Sequence, residues 1–192
     1  MAEEGYIADA VTWEVLVGMT SSRRTAYTRS RGFNQVVLAA SNPEKIRIVK
    51  KLLEKHARDP ALIIGYYKDG AKEMADAIGA PLVSGDTPMG KREPIYESFR
   101  RGEIDRLVLT QVGEEGVDLP NARVAINISG LYGSRMGFSQ RLGRILRPKE
   151  GTATFYELVT VGTIEEEYSE RRRAYLVGQG YDFETVDMTE VL

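Results

Sequence analysis

The feature of this 192-residue sequence that most constrains its fold is a regular alternation of short apolar runs with segments of helical periodicity. The runs 61–67, 106–110, 122–128 and 152–159 are mostly apolar, as expected of strands buried on both faces of a parallel sheet. Helical segments of about ten residues separate them, and such segments join parallel strands by right-handed crossovers. The pattern predicts an α/β domain with a mostly parallel sheet and helices on both faces.

Signals at the ends of segments place the other elements. The runs 12–17 and 81–83 are predicted to be short strands. Asn42, Pro43 and Glu44 predict the start of a helix that runs to about His56, because they supply a cap, a fitting first residue and an acid at the positive end of the helix dipole. Further helices are predicted over about 20–31, 72–78, 91–101, 138–146 and 163–176. Ligands of such sheets bind beyond the carboxyl ends of the strands.

Composition excludes several kinds of site. The chain has no cysteine, which removes disulfides, thiolate zinc sites and thiol catalysis. The single histidine, His56, cannot form a multi-histidine metal site and is predicted to be a solvated helix residue, so no metal site of the chain's own is expected. The net charge of −2 means that contacts with nucleic acid must be local. No basic leader or apolar run of about 20 residues occurs, so we expect a cytoplasmic protein without a membrane partner.

The segment 85–92, GDTPMGKR, nearly matches the phosphate-binding loop G-x-x-x-x-G-K-[ST] between a strand and a helix. Arg92 replaces the hydroxyl residue that would bind magnesium, and Pro88 removes one of the amides that would surround a phosphate. We therefore expect a turn followed by a helix, with Lys91 and Arg92 solvated. A P-loop kinase built on this segment is excluded on the same grounds, since no second metal-binding aspartate is identifiable.

The segment 140–148, QRLGRILRP, carries the most informative pattern. Gln140, Arg144 and Arg147 follow the spacing i, i+4, i+7 and share one face of a helix. Two guanidinium groups one turn apart can clamp phosphate oxygens, and an arginine on the γ-phosphate stabilises charge in phosphoryl transfer. Leu142, Ile145 and Leu146 would anchor the other side of this helix.

This segment resembles motif VI of the superfamily 2 helicases, and the resemblance extends along the chain. The stretch 108–120 is similar to motif V, with a threonine at a strand end and then Gly-x-Asp-hydrophobic-Pro, and the strand 63–67 falls where motif IV lies. The segments 132–135 (YGSR), 143–144 (GR) and 175–181 (YLVGQGY) together resemble the XPB DNA-repair helicase family most closely. The segments 5–8 (GYIA) and 19–20 (MT) also fit the segment that joins the two motor domains in that family. The implied fold is a three-layer RecA-like domain.

In this superfamily ATP, with Mg, binds between two RecA-like domains, and the first supplies the Walker A loop and the DExH/D box, neither of which occurs here. The resemblance implies that Arg144 and Arg147 face the ATP phosphates, with Arg147 as the preferred finger, and that Gln140 couples nucleotide to nucleic acid. It also implies a nucleotide-lining role for Gly116 and Asp118. Glu115 departs from the pattern, since many relatives carry arginine there.

Nucleic-acid contacts are predicted at strand ends. The resemblance implies that Thr110 touches a phosphate, and Ser84 with Gly85 occupies a second strand end. Each has a local alternative, namely a turn or a cap. Arg171, Arg172 and Arg173 follow three glutamates on one helix, which predicts ion pairs within that helix rather than a DNA site.

The sequence therefore predicts the C-terminal motor domain of an ATP-dependent DNA helicase or translocase, inactive as an ATPase alone. Residues 41–192 would form the RecA-like domain, and residues 1–40 an extension resembling the segment that connects two motor domains. The expected partners are a first RecA-like domain, in cis or in trans, and single-stranded or unwound DNA. A eukaryotic relative would act in the nucleus. The alternative is a stand-alone binding or regulatory module that keeps the fold and docks a partner protein.

Overall fold

The computed structural model describes residues 10–110, 118–129, 153–178, 183–187 and 190. Seven strands form one sheet in the order β3-β4-β2-β5-β6-β1-β7, and every pair of neighbours is parallel. The strands are β1 Ala10–Val17, β2 Ala61–Gly65, β3 Leu82–Val83, β4 Arg106–Leu109, β5 Val124–Ser129, β6 Ala153–Thr160 and β7 Phe183–Asp187. The described helices are α1 Ser21–Arg29, α2 Phe33–Ala40, α3 Glu44–Lys55, α4 Lys68–Ile78, α5 Met89–Arg100 and α6 Ile164–Gly178. The predicted α/β fold with helices on both sheet faces is confirmed.

The two faces of the sheet bury separate apolar clusters, because alternate residues of each strand point to opposite sides. Ile63 of β2 and Val108 of β4 face α3 and α4, whereas Leu62 and Leu107 face α5. The central strands β2 and β5 are buried at every position, which is why β2 is continuously apolar and β5 is mostly so. This rigid three-layer arrangement fixes where each strand ends, and therefore where the site residues lie.

The amino-terminal segment contributes to the same sheet. Strand β1 lies between β6 and β7, and its eight residues are paired with β6 from Ala10 to Val17. Thr20 caps α1, because its side-chain oxygen accepts from the amide of Arg23 at 3.4 Å. Helix α2 and strand β7 were not predicted from the sequence.

Helix α6 is held to the sheet by a polar layer that consists of Glu14, Glu157, Ser169, Arg172 and Arg173. Nε and Nη2 of Arg172 both donate to Oε1 of Glu157. The Ser169 hydroxyl donates to the carboxylate of Glu14. Arg173 also pairs with Glu14, at 3.3 Å. The prediction of pairing within the helix is confirmed for Arg171, which binds Glu167 one turn earlier. It is wrong for Arg172 and Arg173, because the face of α6 that carries them packs on strands β6 and β1.

His56 differs from the solvated helix residue predicted for it. It follows the last residue of α3, and its side chain is only 15% exposed. Its Nε2 lies 2.9 Å from the Tyr156 hydroxyl, and its Nδ1 lies 3.1 Å from Asp59. The imidazole therefore links the end of α3 to β6.

Candidate functional site

Strands β3 and β4 bring two of the predicted site residues to the same edge of the sheet. Val83 is paired with Leu109, so that Ser84 and Thr110 follow the two strands side by side. The amide of Thr110 donates to the carbonyl of Val83 at 3.0 Å, which extends the pairing by one residue. The two residues are only 4% and 5% exposed. The carboxyl edge of the sheet therefore juxtaposes two hydroxyl residues that are 26 positions apart in the chain.

Gly85 lies in a tight turn directly after Ser84. The Ser84 hydroxyl accepts from the amide of Asp86 at 3.3 Å, and the Thr87 hydroxyl accepts from the amide of Ser84 at 3.0 Å. The turn predicted as the local alternative is thus present. Gly85 is exposed at its apex, so the turn presents bare backbone to solvent at the carboxyl edge.

The segment that resembles a phosphate loop is closed by its own arginine. Arg92 Nε donates to the carbonyl of Thr87 at 2.8 Å, and its Nη2 lies 3.5 Å from the carbonyl of Gly85. The amide of Lys91 donates to the carbonyl of Pro88 at 2.8 Å as α5 begins. A phosphate cradle needs free amides directed inward, and here a guanidinium satisfies the loop carbonyls instead. The turn and the start of α5 lie where the sequence predicts them. Arg92 is not the solvated residue predicted, because its guanidinium binds these loop carbonyls.

Asp118 is exposed and follows a gap in the described residues. Arg100 at the end of α5 donates through Nε to the Asp118 carbonyl at 3.1 Å. Its hydrogen bond with Glu93 and then that with Glu97 raise the pKa of Arg100. The main chain of Asp118 is therefore anchored to α5, while its carboxylate is available to solvent. The predicted site residues Gly116, Gln140, Arg144 and Arg147 lie outside the described residues.

A cavity of about 500 Å³ opens at the carboxyl edge of the sheet. We call it the aromatic pocket; it is lined by Phe33, Val36, Tyr66, Tyr67, Ile164 and Tyr168, together with Gly32 and Gln35. Tyr66 and Tyr67 directly follow β2, Phe33 begins α2, and Ile164 begins α6. Three separate elements therefore converge on one apolar cavity that the sequence analysis did not predict.

The rings of the aromatic pocket pack edge to face. Phe33 and Tyr67 have centroids 5.9 Å apart at 65°, and Tyr66 and Tyr67 have centroids 5.0 Å apart at 84°. Burial raises the pKa of the Tyr67 hydroxyl. Phe33 is 69% exposed, an unusual position for a phenyl ring.

A buried ion pair lies near the carboxyl ends of β5 and β6. Lys45 of α3 lies 2.7 Å from Glu165 of α6, and it also donates to the carbonyl of Ile128 at 2.7 Å. Burial lowers the pKa of Lys45, and the neighbouring carboxylate of Glu165 opposes that shift. Lys45 occupies the apolar helix face with Ile48 and Leu52, at spacing i, i+3, i+7. That spacing was the signal in the sequence that a buried partner for this lysine exists.

Two features are absent from the described part of the chain. Within it, no cluster of three or more histidine, aspartate or glutamate side chains is arranged to hold a metal ion. No helix there is long and apolar enough to cross a membrane.

Comparison with known proteins gives a single family. Residues 1–192 match the model of the ERCC3/RAD25/XPB C-terminal helicase family. The chain is 39% identical over 190 residues to the DNA 3'-5' helicase XPB of Kineococcus radiotolerans. This match covers 98% of this chain and 34% of the relative. It is 36% identical to the general transcription and DNA repair factor IIH helicase/translocase subunit XPB/SSL2 of Saccharomyces cerevisiae. That match covers 97% of this chain and 23% of the relative. The chain thus spans about a third or less of the length of these relatives.

The fold also matches that of a solved helicase. The S. cerevisiae Dbp5 structure with RNA and ADP BeF3 superposes with a TM-score of 0.69 and 14% sequence identity. The match covers 94% of this chain and 42% of that chain. At this level of identity the likeness concerns the fold, and it identifies the parallel sheet as RecA-like.

Proposed function

We propose that this chain, which belongs to the ERCC3/RAD25/XPB C-terminal helicase family, acts as the second motor domain of an ATP-dependent DNA helicase or translocase. The observation that carries the proposal is the juxtaposition of Ser84, Gly85 and Thr110 at the carboxyl edge of the sheet. That edge is where ligands of open parallel sheets bind. Hydroxyls and backbone amides at strand ends are the groups with which proteins hold phosphate oxygens without reading sequence.

The proposed nucleic-acid track follows the ends of β3 and β4. The exposed glycine of the Ser84–Thr87 turn allows a sugar-phosphate backbone to approach closely, because no side chain projects from it. Thr110 would hold the adjoining phosphate. With a net charge of −2 the whole chain supplies no general attraction for DNA, so such local contacts must supply the affinity. The preferred ligand is single-stranded or unwound DNA.

ATP, with Mg, is proposed to bind in the cleft between this domain and a first RecA-like domain. Arg144 and Arg147 would contact its phosphates, Gln140 would couple the nucleotide to the nucleic acid, and Gly116 with Asp118 would line the cleft. The exposed carboxylate of Asp118 is consistent with this role. ATP supplies the phosphoryl-transfer energy, and the guanidinium groups of this chain stabilise the charge that develops. Residues 1–40 are proposed to lead to the first domain, with β1 and α2 of that segment built into this domain.

The proposed location follows from the same family. The S. cerevisiae relative is named as a transcription and DNA repair factor. We therefore infer that the protein acts where DNA is, in the cytoplasm of a prokaryote or the nucleus of a eukaryote. A stand-alone docking module is not favoured, because Asp118 and the arginines Arg144 and Arg147 are retained in the sequence.

The nucleic-acid part of the proposal is tested by fluorescence anisotropy with a labelled oligo-dT strand. Half of a binding groove makes few phosphate contacts, so binding should be weak and should decline between about 50 and 200 mM salt. Thr110→Ala should weaken binding by about tenfold, since a hydrogen bond to a charged group contributes about 1.5 kcal/mol.

The matched control is Thr154→Ala, a threonine near the start of β6 at the opposite edge of the sheet. This variant should bind as the wild type does. Tight binding that is insensitive to salt would contradict the proposed track, as would equal affinities of the Thr110→Ala and wild-type proteins. A thermal melt of each variant shows whether the fold is retained.

A further inference from the structure

We propose that the aromatic pocket receives one unstacked nucleobase of a single strand, in a step that rests on the proposed function. The pocket begins where β2 ends, and the end of β2 is level with the end of β4, since Ile64 is paired with Leu109. A strand whose backbone passes Thr110 therefore passes the mouth of the pocket. This assigns the cavity a ligand class, a planar heteroaromatic base.

The lining of the pocket matches the chemistry of a base. Four of its side chains are aromatic rings, and stacking on such rings holds any of the bases because each has a π-face. No residue that lines it carries a charge. Its polar groups are tyrosine hydroxyls and the amide of Gln35, which also donates to the carbonyl of Tyr27 at 3.3 Å. A flat ring with polar edges fits apolar walls that carry a few such groups.

Phe33 is placed to cover an incoming base. Gly32 precedes it with φ of +57°, a backbone conformation that glycine adopts readily, and a Cβ there would contact nothing. This turn sets the first residue of α2 over the mouth of the pocket. Because Phe33 leaves 69% of its surface exposed, the ring has ample apolar area for a ligand to bury.

Exposed arginines next to the pocket in the chain supply cations for the phosphates of a single strand. Arg29 and Arg31 are exposed next to Gly32. Lys68, which follows Tyr67, forms an ion pair with Asp86 in the Ser84–Thr87 turn. That pair joins the pocket physically to the proposed backbone track. A base in the pocket would thus contact aromatic rings, and its phosphates at the mouth would lie near cations. The volume of about 500 Å³ lies within the range of small-ligand sites, about 300–1,000 Å³.

The test compares two oligonucleotides of equal length and charge, an oligo-dT strand and a strand with an abasic tract at its centre. Anisotropy titrations of the full chain at low salt measure both affinities. The wild type should prefer oligo-dT by at least about fivefold, the factor that corresponds to a stacking contribution of about 1 kcal/mol. Phe33→Ala should remove most of this preference while binding the abasic strand as the wild type does.

Met89→Ala is the matched control, because Met89 is an equally apolar side chain, 83% exposed, that follows β3 and lies outside the pocket. It should leave the preference for bases intact. Since both substituted side chains are exposed, neither variant should lose thermal stability.

Each outcome separates the pocket from the track. Salt-sensitive binding of both strands with equal affinity would overturn the pocket proposal and leave the proposed track standing. A preference for oligo-dT that Phe33→Ala does not reduce would place the base elsewhere. If neither strand binds, the proposed function fails and the pocket proposal fails with it. If only an apolar peptide binds, in a manner that Phe33→Ala abolishes, the pocket is a protein-docking site.

Discussion

Tyr156 is the residue through which the fold should respond most clearly to alkaline pH. Its ring is 3% exposed on β6, and burial raises the pKa of its hydroxyl to about 12. An unfolded tyrosine loses its proton near pH 10. The folded state therefore holds this proton more tightly than the unfolded state does, and the resulting stability is complete below about pH 10 and is lost as the pH rises through about 12.

We therefore expect the unfolding free energy of the wild type to fall more steeply between about pH 9 and about pH 11 than that of Tyr156→Phe. Urea denaturation at a series of pH values measures both slopes. The comparison uses slopes because Tyr156→Phe also loses the hydrogen bond to His56, which lowers its stability at every pH. Burial lowers the pKa of Lys45, which gives the opposite slope, but that contribution is common to both proteins. Parallel curves would show that the Tyr156 hydroxyl is not the titrating group.

Single residues differ in how far the sequence could have placed them. Lys45 shares a periodic helix face with apolar residues, so its burial was predictable even though Glu165 as its partner was not. His56 gave no such signal, because Tyr156 lies 100 positions later in the chain and only the packing of α3 on β6 brings the two together. Ser84 and Thr110 were correctly placed at strand ends, since each follows a short apolar run. Their adjacency depends on the order of the strands, which local patterns do not encode.

At the scale of elements, helix α6 illustrates what local spacing can predict. Its first three glutamates and its three arginines have the spacing for intrahelical pairs, and Arg171 with Glu167 forms one. Arg172 instead points at the sheet, where parallel pairing sets Glu14 beside Glu157. Two neighbouring carboxylates repel each other unless cations neutralise them. Arg172 and Arg173 of α6 thus neutralise two carboxylates that the register of β1 and β6 places side by side.

Loss of Arg172 should therefore be costly in a way that loss of its neighbour is not. Arg172→Met leaves Glu157, whose side chain is 1% exposed, without its cation and should lower the unfolding free energy by about 3–5 kcal/mol. Arg171→Met removes an exposed pair and should change it by about 0.5 kcal/mol or less. Chemical denaturation of both variants measures the difference.

A double variant separates charge from packing at this position. Arg172→Met combined with Glu157→Leu removes both buried charges, and replacement of a buried ion pair by apolar residues is often neutral. It should recover most of the stability lost in Arg172→Met. A double variant no more stable than Arg172→Met alone would mean that the arginine contributes through packing rather than by neutralising Glu157.

The elements that were missed show the limits of periodicity. Helix α2 starts after Gly32, which offers no side-chain cap, and its short sequence FNQVVLAA has no clear polar face. Strand β7 is five residues long and, among the described strands, lies at the edge of the sheet beside β1. Both depend on partners distant in the chain. The aromatic pocket could not be predicted for the same reason, because α2 forms one of its walls.

At the scale of the whole molecule, the proposed binding sites lie at one edge of the sheet, the edge formed by the carboxyl ends of its strands. The nucleic-acid track, the aromatic pocket and the pair of Lys45 with Glu165 all lie where parallel strands end. The proposal of a two-domain motor comes from the sequence, because segments that resemble motifs V and VI occur without a Walker A loop or a DExH/D box. The seven-strand order was not predictable from patterns within the chain.

The last prediction concerns ATP hydrolysis by the complete motor. This chain alone should show background ATPase activity, since the segment 85–92 is closed by Arg92 and offers no phosphate cradle. Joined to its first RecA-like domain, it should hydrolyse ATP with Arg147 stabilising the charge that develops on the transferred phosphoryl group. Lysine keeps that charge but lacks the planar fork of guanidinium, so Arg147→Lys should lower turnover by at least about tenfold, or about 1.4 kcal/mol of barrier.

The loss in Arg147→Lys should fall on kcat more than on nucleotide affinity, because a finger acts mainly on transition-state charge. Substituting Arg144 and Arg147 together should cost less than the sum of the two single losses, since both side chains serve one phosphate group. Steady-state kinetics of the joined protein measure these effects, and a thermal melt verifies folding. Near-normal turnover by a folded Arg147→Lys variant would remove the finger role from this residue. Robust hydrolysis by the isolated chain would contradict the proposal that ATP binds between two domains, because this domain alone would then hold the nucleotide.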